Sequence, residues 1–226
     1  MPQHGKRYRE AAGKVDRTRQ YSVEEAVAIL SGFPKGKSDE TVELVVRLGI
    51  DPKKADQIVR GSLSLPHGIG KERRVVVFAE GAKAEEARAA GAAAVGSADL
   101  AEKVLGGWTD FDIAIAAPDM MKHVGKLGKV LGPQGKMPTP KAGTVTADVA
   151  TAVREFKAGK IEFRNDDGGN VAAPMGKRSF TKDKLGQNIA AFIDHISTLR
   201  PATAKGTFLM KASISSTHSP GIPLKV

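Results

Sequence analysis

Hydrophobic and polar positions change period several times along the chain, and each change predicts a different element. Ser22 and Glu25 form a capping-box pattern that opens an amphipathic helix over residues 22–30. Between residues 40 and 50, apolar and polar side chains alternate with the two-residue period of a strand that has one buried face. A second strand is predicted at about residues 58–65. The N-terminal third therefore combines helix and half-buried strand.

The middle third has a different texture, in which short apolar runs alternate with helical patterns. Strands are predicted at residues 75–79, 93–95 and 112–117, and helices at 82–90, 99–105 and 148–157. Apolar strands separated by short helices indicate a small parallel α/β sheet that is covered on both faces.

The C-terminal third returns to strands and one long helix. Residues 160–164 and 170–175 predict a hairpin around the turn at 166–169, and residues 207–216 predict a last strand. The helix at 181–199 carries one apolar stripe: Leu185, Ile189, Phe192, Ile193, Ile196 and Leu199. Both terminal thirds combine strands with an amphipathic helix, and glycines flank the middle third. We therefore predict a discontinuous α+β domain (1–67 with 160–226) interrupted by an inserted domain (68–159).

Composition limits the function classes. The chain of 226 residues is 41% hydrophobic and 27% charged, as in soluble globular proteins, and its apolar runs are too short to span a bilayer. The basic segment 1–20 lacks the apolar core of a secretory signal. Zero cysteines exclude disulfides, thiolate zinc sites and iron–sulfur clusters. We expect a cytoplasmic protein without a membrane segment.

The charge points to a polyanionic partner. The formal net charge is +10, and nucleic acid is favoured over a merely basic soluble protein or a binder of anionic membranes. Residues 1–67 and 160–226 together carry 22 basic and 14 acidic side chains, so most of the excess lies there. A second basic block, Lys122 to Lys141, interrupts the more neutral middle. Two basic surfaces are predicted.

The sequence does not match the motifs of common catalytic or metal sites. The sequence around Gly135 and Lys136 has Val130 and Met137 where a phosphate-binding loop needs glycine and a hydroxyl residue. The five histidines show no metal-ligand spacing, and Asp166 with Asp167 fits turn chemistry better than a paired carboxylate. We therefore expect no catalytic, metal or cofactor site.

The segment from residue 125 to 144 is rich in glycine, proline and lysine. Such a loop lets a partner approach main-chain amides while lysines reach phosphates. A solvated lysine-rich loop is the equally weighted alternative.

The sequence LGKVLGPQGKMPTPKAGTV in this segment resembles the signature of the L-one family of large-subunit ribosomal proteins. The resemblance extends to MPQHGKRYR at the start, DETVELVVRLGID, QIVRGSLSLPHGIGK, IEFRNDDGGNVAAPMGK and AKGTFLMKASISST, in that order. It implies a split ferredoxin-like α+β domain with an inserted Rossmann-like domain. It also implies binding of large-subunit rRNA at the mobile stalk, near the site where deacylated tRNA leaves.

The resemblance further implies which residues bind RNA. The primary set consists of Lys37, Glu40, Thr41, Arg60, Arg164, Lys177, Ser179, Thr217, His218 and Ser219. The secondary loop set consists of Lys126, Lys129, Gly132, Gly135, Lys136, Lys141 and Thr144. This chain departs from the family pattern at Ser38, where phenylalanine is common, and at His218 and Ser219, where Met-Gly is typical. Arg60 and Arg164 fit a fold-bracing role equally well.

The expected partners are large-subunit rRNA, deacylated tRNA in the exit site and the protein's own operon mRNA, with the free protein a monomer and its working location the ribosome. The mechanism expected is shape-selective RNA binding without chemistry. Two alternatives remain: a nucleotide-dependent enzyme built on the inserted domain, and a free translational repressor that seldom joins ribosomes.

Overall fold

The computed structural model describes residues 4–226; the first three residues of the predicted basic segment lie outside the described residues. The helices are α1 Lys6–Ala12, α2 Val23–Ser31, α3 Ala82–Ala89, α4 Ala98–Leu105, α5 Met121–Val124, α6 Gly128–Leu131, α7 Val149–Ala158 and α8 Lys182–Thr198. The strands are β1 Thr41–Leu48, β2 Arg60–Ser64, β3 Val75–Phe78, β4 Ala94–Gly96, β5 Ile113–Ala116, β6 Lys160–Arg164, β7 Asn170–Lys177, β8 Leu209–Ser216 and β9 Ile222–Leu224.

Contacts divide the chain into two compact units. Met1–Gly70 and Ile161–Val226 form the first unit, and Lys71–Lys160 form the second. Each has its own apolar core. That these units behave as separate functional domains stays a prediction.

The first unit is built on a four-stranded antiparallel sheet with the order β7-β1-β8-β9. The alternation predicted for β1 is confirmed, because Val42, Leu44, Val46 and Leu48 are buried and the residues between them are not. Helices α2 and α8 pack against each other and against the sheet on this buried side. The opposite face of the sheet carries the residues of β1 that remain exposed or half-buried.

Capping sets where both of these helices begin. Ser22 accepts a hydrogen bond from the Glu25 amide, and the Glu25 carboxylate accepts one from the Ser22 amide, which confirms the predicted capping box. Thr181 caps α8 in the same position. On α8, the fully buried Asn188 accepts from the His67 amide and donates to the carbonyls of Gly68 and Met175. It therefore anchors the chain just before that chain leaves the first unit.

The predicted hairpin at residues 160–175 forms only at its turn, where Asn165 and Val171 make an isolated antiparallel bridge, and the pairing predicted for the rest of its strands is wrong. The tight turn forms, since Asp166 accepts hydrogen bonds from the amides of Gly168 and Asn170. However, β6 pairs with β2, whereas β7 pairs with β1. The buried Asn165 explains the divergence, because its amide donates to the Val59 carbonyl and its side chain accepts from the Val59 amide. These two bonds direct β6 to the segment that precedes β2.

The second unit contains a three-stranded parallel sheet with the order β4-β3-β5. Val75, Val76, Val77 and Phe78 of β3 are all buried, as the continuous apolar run predicts. Helices α3 and α7 pack together, and α4 contributes Leu100 and Val104 to the same core. The predicted fold class, an α+β unit interrupted by a parallel α/β unit, is confirmed.

The predicted loop at residues 125–144 is helical over about half of its length, which corrects the sequence interpretation. Short α and 3-10 turns run from Pro118 to Leu131, and another 3-10 turn spans Pro140–Ala142. Val124, Leu127 and Leu131 are fully buried at helical spacing. Glycines obscure this stripe in the sequence, because they lower the expected helix propensity.

Within residues 4–226, no helix combines the length and hydropathy needed to cross a membrane. The same part of the chain holds no cluster of three or more histidine or acidic side chains suited to a metal ion.

Candidate RNA interface

Most of the predicted primary residues meet at the N-terminal end of β1. Thr41 lies opposite Lys177 of β7, and the backbone of Thr217, just after β8, donates to the Thr41 carbonyl at 3.1 Å. The Thr217 hydroxyl accepts from the Thr41 amide at 3.1 Å, and the Lys177 ammonium donates to the Thr41 hydroxyl at 2.9 Å. Thr217 and His218 are exposed beside them, and Lys37 is exposed in the loop before β1. We call this set, with Ser179 and Ser219, the strand-end cluster.

Glu40 lies beneath that surface and does not face solvent. Its side chain is 2% exposed, and it accepts hydrogen bonds from Arg7 at 2.7 Å and from the Ser216 hydroxyl at 2.6 Å. The Arg178 guanidinium lies 3.6 Å from the same carboxylate and donates to the carbonyls of Phe33 and Pro34. Glu40 thus joins three chain segments that carry the cluster. Contact with RNA through Glu40 would have to pass by way of Arg7, whose side chain is 47% exposed.

Asp39 organises the loop before β1. Its carboxylate accepts from the Ser179 amide at 3.1 Å and from the Ser179 hydroxyl at 2.7 Å. Sequence reasoning missed Asp39, Arg7 and Arg178. The signal available was weak, because these partners are more than 30 residues apart in the sequence.

The turn that follows β8 is closed by Ser219. Its hydroxyl accepts from the Ser216 amide at 2.8 Å, and its amide donates to the Ser216 carbonyl at 3.0 Å. Serine therefore has a local role at the position where the family pattern has glycine. Next to this turn a shallow groove is lined by Gly5, Arg7, Tyr8, Thr217, His218 and Ser219. Backbone and side-chain donors converge there.

Arg60 and Arg164 are not part of the strand-end cluster. Arg164 precedes Asn165, which bonds to Val59 beside Arg60, so the two arginines neighbour each other across β2 and β6. The turn after Arg164 bonds to Leu48, at the far end of β1 from Thr41. An eight-residue strand is about 25 Å long, so the predicted primary set occupies two places.

The predicted secondary set lies in the second unit and divides by exposure. Lys126 and Lys129 are exposed on the outer side of the helical turns whose inner side is buried, and Lys141 is exposed as well. Lys136 instead donates to the Thr109 carbonyl at 2.9 Å and lies over the Phe111 ring. Thr144 is buried, with its hydroxyl bonded to Thr139. These last two side chains are occupied by internal contacts.

The remaining predicted positions of the second unit shape its backbone. Gly135 has φ of 67°, in the left-handed region that favours glycine. A Cβ on Gly132 would lie 2.5 Å from the Gly128 carbonyl oxygen. Nearby, the hydrogen bond from Arg74 lowers the pKa of Asp110, and Lys136 adds to that effect.

Comparison with known proteins adds to this geometry. The model of the ribosomal protein L1p/L10e family matches residues 30–220. The chain is 53% identical to the large ribosomal subunit protein uL1 of Kosmotoga olearia over 224 residues, covering 99% of this chain and 97% of that protein. It is 54% identical to the protein of the same name from Bifidobacterium animalis subsp. lactis, covering 99% and 98%.

Proposed function

The chain belongs to the ribosomal protein L1p/L10e family, and from this premise we propose that it is a structural constituent of the large ribosomal subunit that binds rRNA at the mobile stalk. The relatives named above are large-subunit proteins, and they match this chain over almost its whole length. The family is one of ribosomal structural proteins, so this protein is not an enzyme.

The observation that carries the proposal is the strand-end cluster. Thr217 and His218 line one groove at the end of β1, and Lys37 is exposed in the loop that leads into the same strand. The buried carboxylate of Glu40 fixes the segments beneath them. Ammonium groups positioned on phosphates, together with hydroxyls that reach sugar or backbone oxygens, suit recognition of RNA by shape. Because these segments are already held in place, ordering them on binding costs less conformational entropy.

The proposal includes two further partners. The exposed Lys126, Lys129 and Lys141 of the second unit provide a separate basic surface, which we assign to a secondary RNA contact and to assisting the release of deacylated tRNA. Repression of the protein's own operon mRNA follows if that mRNA folds like the rRNA target, because both would bind the strand-end cluster. The protein then works in the cytoplasm, on the ribosome.

Titration of the full chain with the stalk segment of large-subunit rRNA tests the proposal. We expect tight binding at 50 mM salt that weakens about tenfold or more by 200 mM, because each neutralised phosphate releases counterions. An unrelated RNA hairpin of equal length is the control. Failure to prefer the stalk segment, or an affinity insensitive to salt, would overturn the proposal. Thermal stabilisation by ATP or NAD, with no response to rRNA, would favour the nucleotide-enzyme alternative.

Cell fractionation addresses the free-repressor alternative. We expect the protein to sediment with the large subunit. Its exclusion from that peak, combined with binding to its own mRNA, would support a repressor that acts away from ribosomes.

A further inference from the structure

A basic groove lies on the open face of the antiparallel sheet, at the end opposite the strand-end cluster. Its volume is about 450 Å³, and strands β1, β7, β8 and β9 line it together with Arg17, Thr18 and Gln20. Three of its lining side chains are cations, Arg17, Arg47 and Lys211. Among the described residues that line it, none is acidic. Sequence reasoning assigned no role to any of these three residues.

Two of the cations are direct neighbours across the sheet. Arg47 of β1 pairs with Lys211 of β8, and both side chains are exposed. Like charges directly opposite each other destabilise a strand pair. No salt bridge found within residues 4–226 involves either side chain. Glu43, on the same face of β1, lies four residues away, or about 13 Å along the strand.

The surroundings of this pair admit an extended polyanion. Asn170 lies opposite Arg47 on β7, and Ala172 and Ser213 lie opposite Val45 on the two sides of β1. The small side chains of Ala172 and Ser213 leave the face low, whereas the Asn170 side chain donates to the Asp166 carboxylate. The Arg17 guanidinium donates one hydrogen bond to the Tyr8 hydroxyl at 3.2 Å and has further N–H groups to offer. Charge and shape both fit a phosphate backbone.

We propose that Arg47, Lys211 and Arg17 bind phosphates of the same rRNA that occupies the strand-end cluster. This inference rests on the proposed function and extends the interface along the open face of the sheet, over a strand roughly 25 Å long. A phosphate between Arg47 and Lys211 removes the repulsion that the two cations exert on each other. The Arg47–Lys211 pair thus lowers the folding stability of the free protein and raises its affinity for RNA.

The opposed effects on stability and binding make the test sharp. In the full chain, Arg47→Gln and Lys211→Gln should each weaken binding of the stalk rRNA segment roughly three- to tenfold at 100 mM salt. Each should also reduce the slope of log affinity against log salt by about 1. At low salt the Tm of each variant should be equal to that of the parent chain or higher, by on the order of 1–2 °C.

Lys184→Gln is the matched control, because Lys184 is exposed on α8, which packs on the other face of the sheet. It should change neither the affinity nor the slope, and Arg47→Lys should keep both near the parent values.

Unchanged affinity and slope in Arg47→Gln and Lys211→Gln, while the parent chain binds rRNA, would overturn this inference and leave the proposed function standing. Weaker binding with a lower Tm would assign the residues to the fold. If Arg47→Gln and Lys211→Gln bound phosphatidylglycerol vesicles less well than the parent chain but bound rRNA equally well, the groove would be a membrane-binding surface and the proposal would be contradicted.

Discussion

At the residue scale, Glu40 shows how a polar residue can serve a binding surface without facing it. Its carboxylate is 2% exposed and holds Arg7, Ser216 and the 6% exposed Arg178. A buried charge that loses its partner is costly, because neither water nor a counterion replaces the lost interaction. The residue therefore stabilises the positions of its neighbours.

Glu40→Ala should consequently lower the free energy of unfolding by about 3–5 kcal/mol, since it leaves Arg178 buried without its carboxylate. Glu43→Ala is the control: Glu43 lies on the exposed face of the same strand, and its loss should change stability by no more than about 0.5 kcal/mol. Urea denaturation of both variants measures the difference. Equal effects of the two substitutions would contradict the role assigned to Glu40.

Thr217 is the exposed counterpart of Glu40. Its hydroxyl lies at the surface and bonds to the Thr41 backbone. Thr217→Val should weaken rRNA binding by about 1 kcal/mol, the worth of one hydrogen bond, whereas Thr217→Ser, which keeps the hydroxyl, should bind nearly as the parent does. Filter binding at fixed salt compares them. A loss in Thr217→Ser with none in Thr217→Val would point to the methyl group instead of the hydroxyl.

At the element scale, sequence predicted what depends on near neighbours and missed what depends on distant ones. The capping box at Ser22 and the alternation of β1 involve residues a few positions apart, so they could be identified directly. The choice of β2 as the partner of β6 depends on Asn165 and Val59, which are 106 residues apart. No local pattern contains that information.

The turn between β6 and β7 is a local feature with a pH signature. Hydrogen bonds from the Asn170 side chain, the Asn170 amide and the Gly168 amide lower the pKa of Asp166. A carboxylate whose pKa is lowered on folding stabilises the fold above its unfolded pKa, about 3.9, and this contribution is lost as pH falls through the folded value.

Asp166→Asn should therefore lower the free energy of unfolding at pH 7, and its difference from the parent chain should shrink below about pH 4. Urea denaturation at several pH values provides the measurement. Asp167→Asn, which changes the adjacent turn residue, should have little effect at any pH. A difference between Asp166→Asn and the parent that persists undiminished at pH 3 would show that the bonds to Asp166 do not act through its charge.

The helical turns around Leu127 place lysines on the outside of a buried apolar stripe. Lys126 and Lys129 were predicted as loop lysines, yet they occupy the outer side of turns whose inner side is buried. The spacing of Val124, Leu127 and Leu131 was visible in the sequence. However, the three neighbouring glycines at 125, 128 and 132 have low helix propensity, so the sequence pattern favours a loop over a helix.

At the scale of the whole molecule, the strand-end cluster and the exposed lysines of the second unit belong to different compact units. The sequence predicted both surfaces from charge and from family resemblance. It could not predict that Arg60 and Arg164 lie at the far end of the sheet, because that depends on how β2 and β6 pair. We therefore centre the proposed primary interface on Lys37, Thr41 and Thr217.

The central claim is that the first unit provides the main rRNA interface and the second unit a secondary one. One measurement tests it most directly: the affinity of the full chain for the stalk segment of large-subunit rRNA, compared between Lys37→Gln and Lys126→Gln, each of which removes one exposed lysine. We expect Lys37→Gln to weaken binding roughly tenfold and Lys126→Gln to weaken it by about threefold or less. The reverse order, or no change in either variant, would contradict the claim.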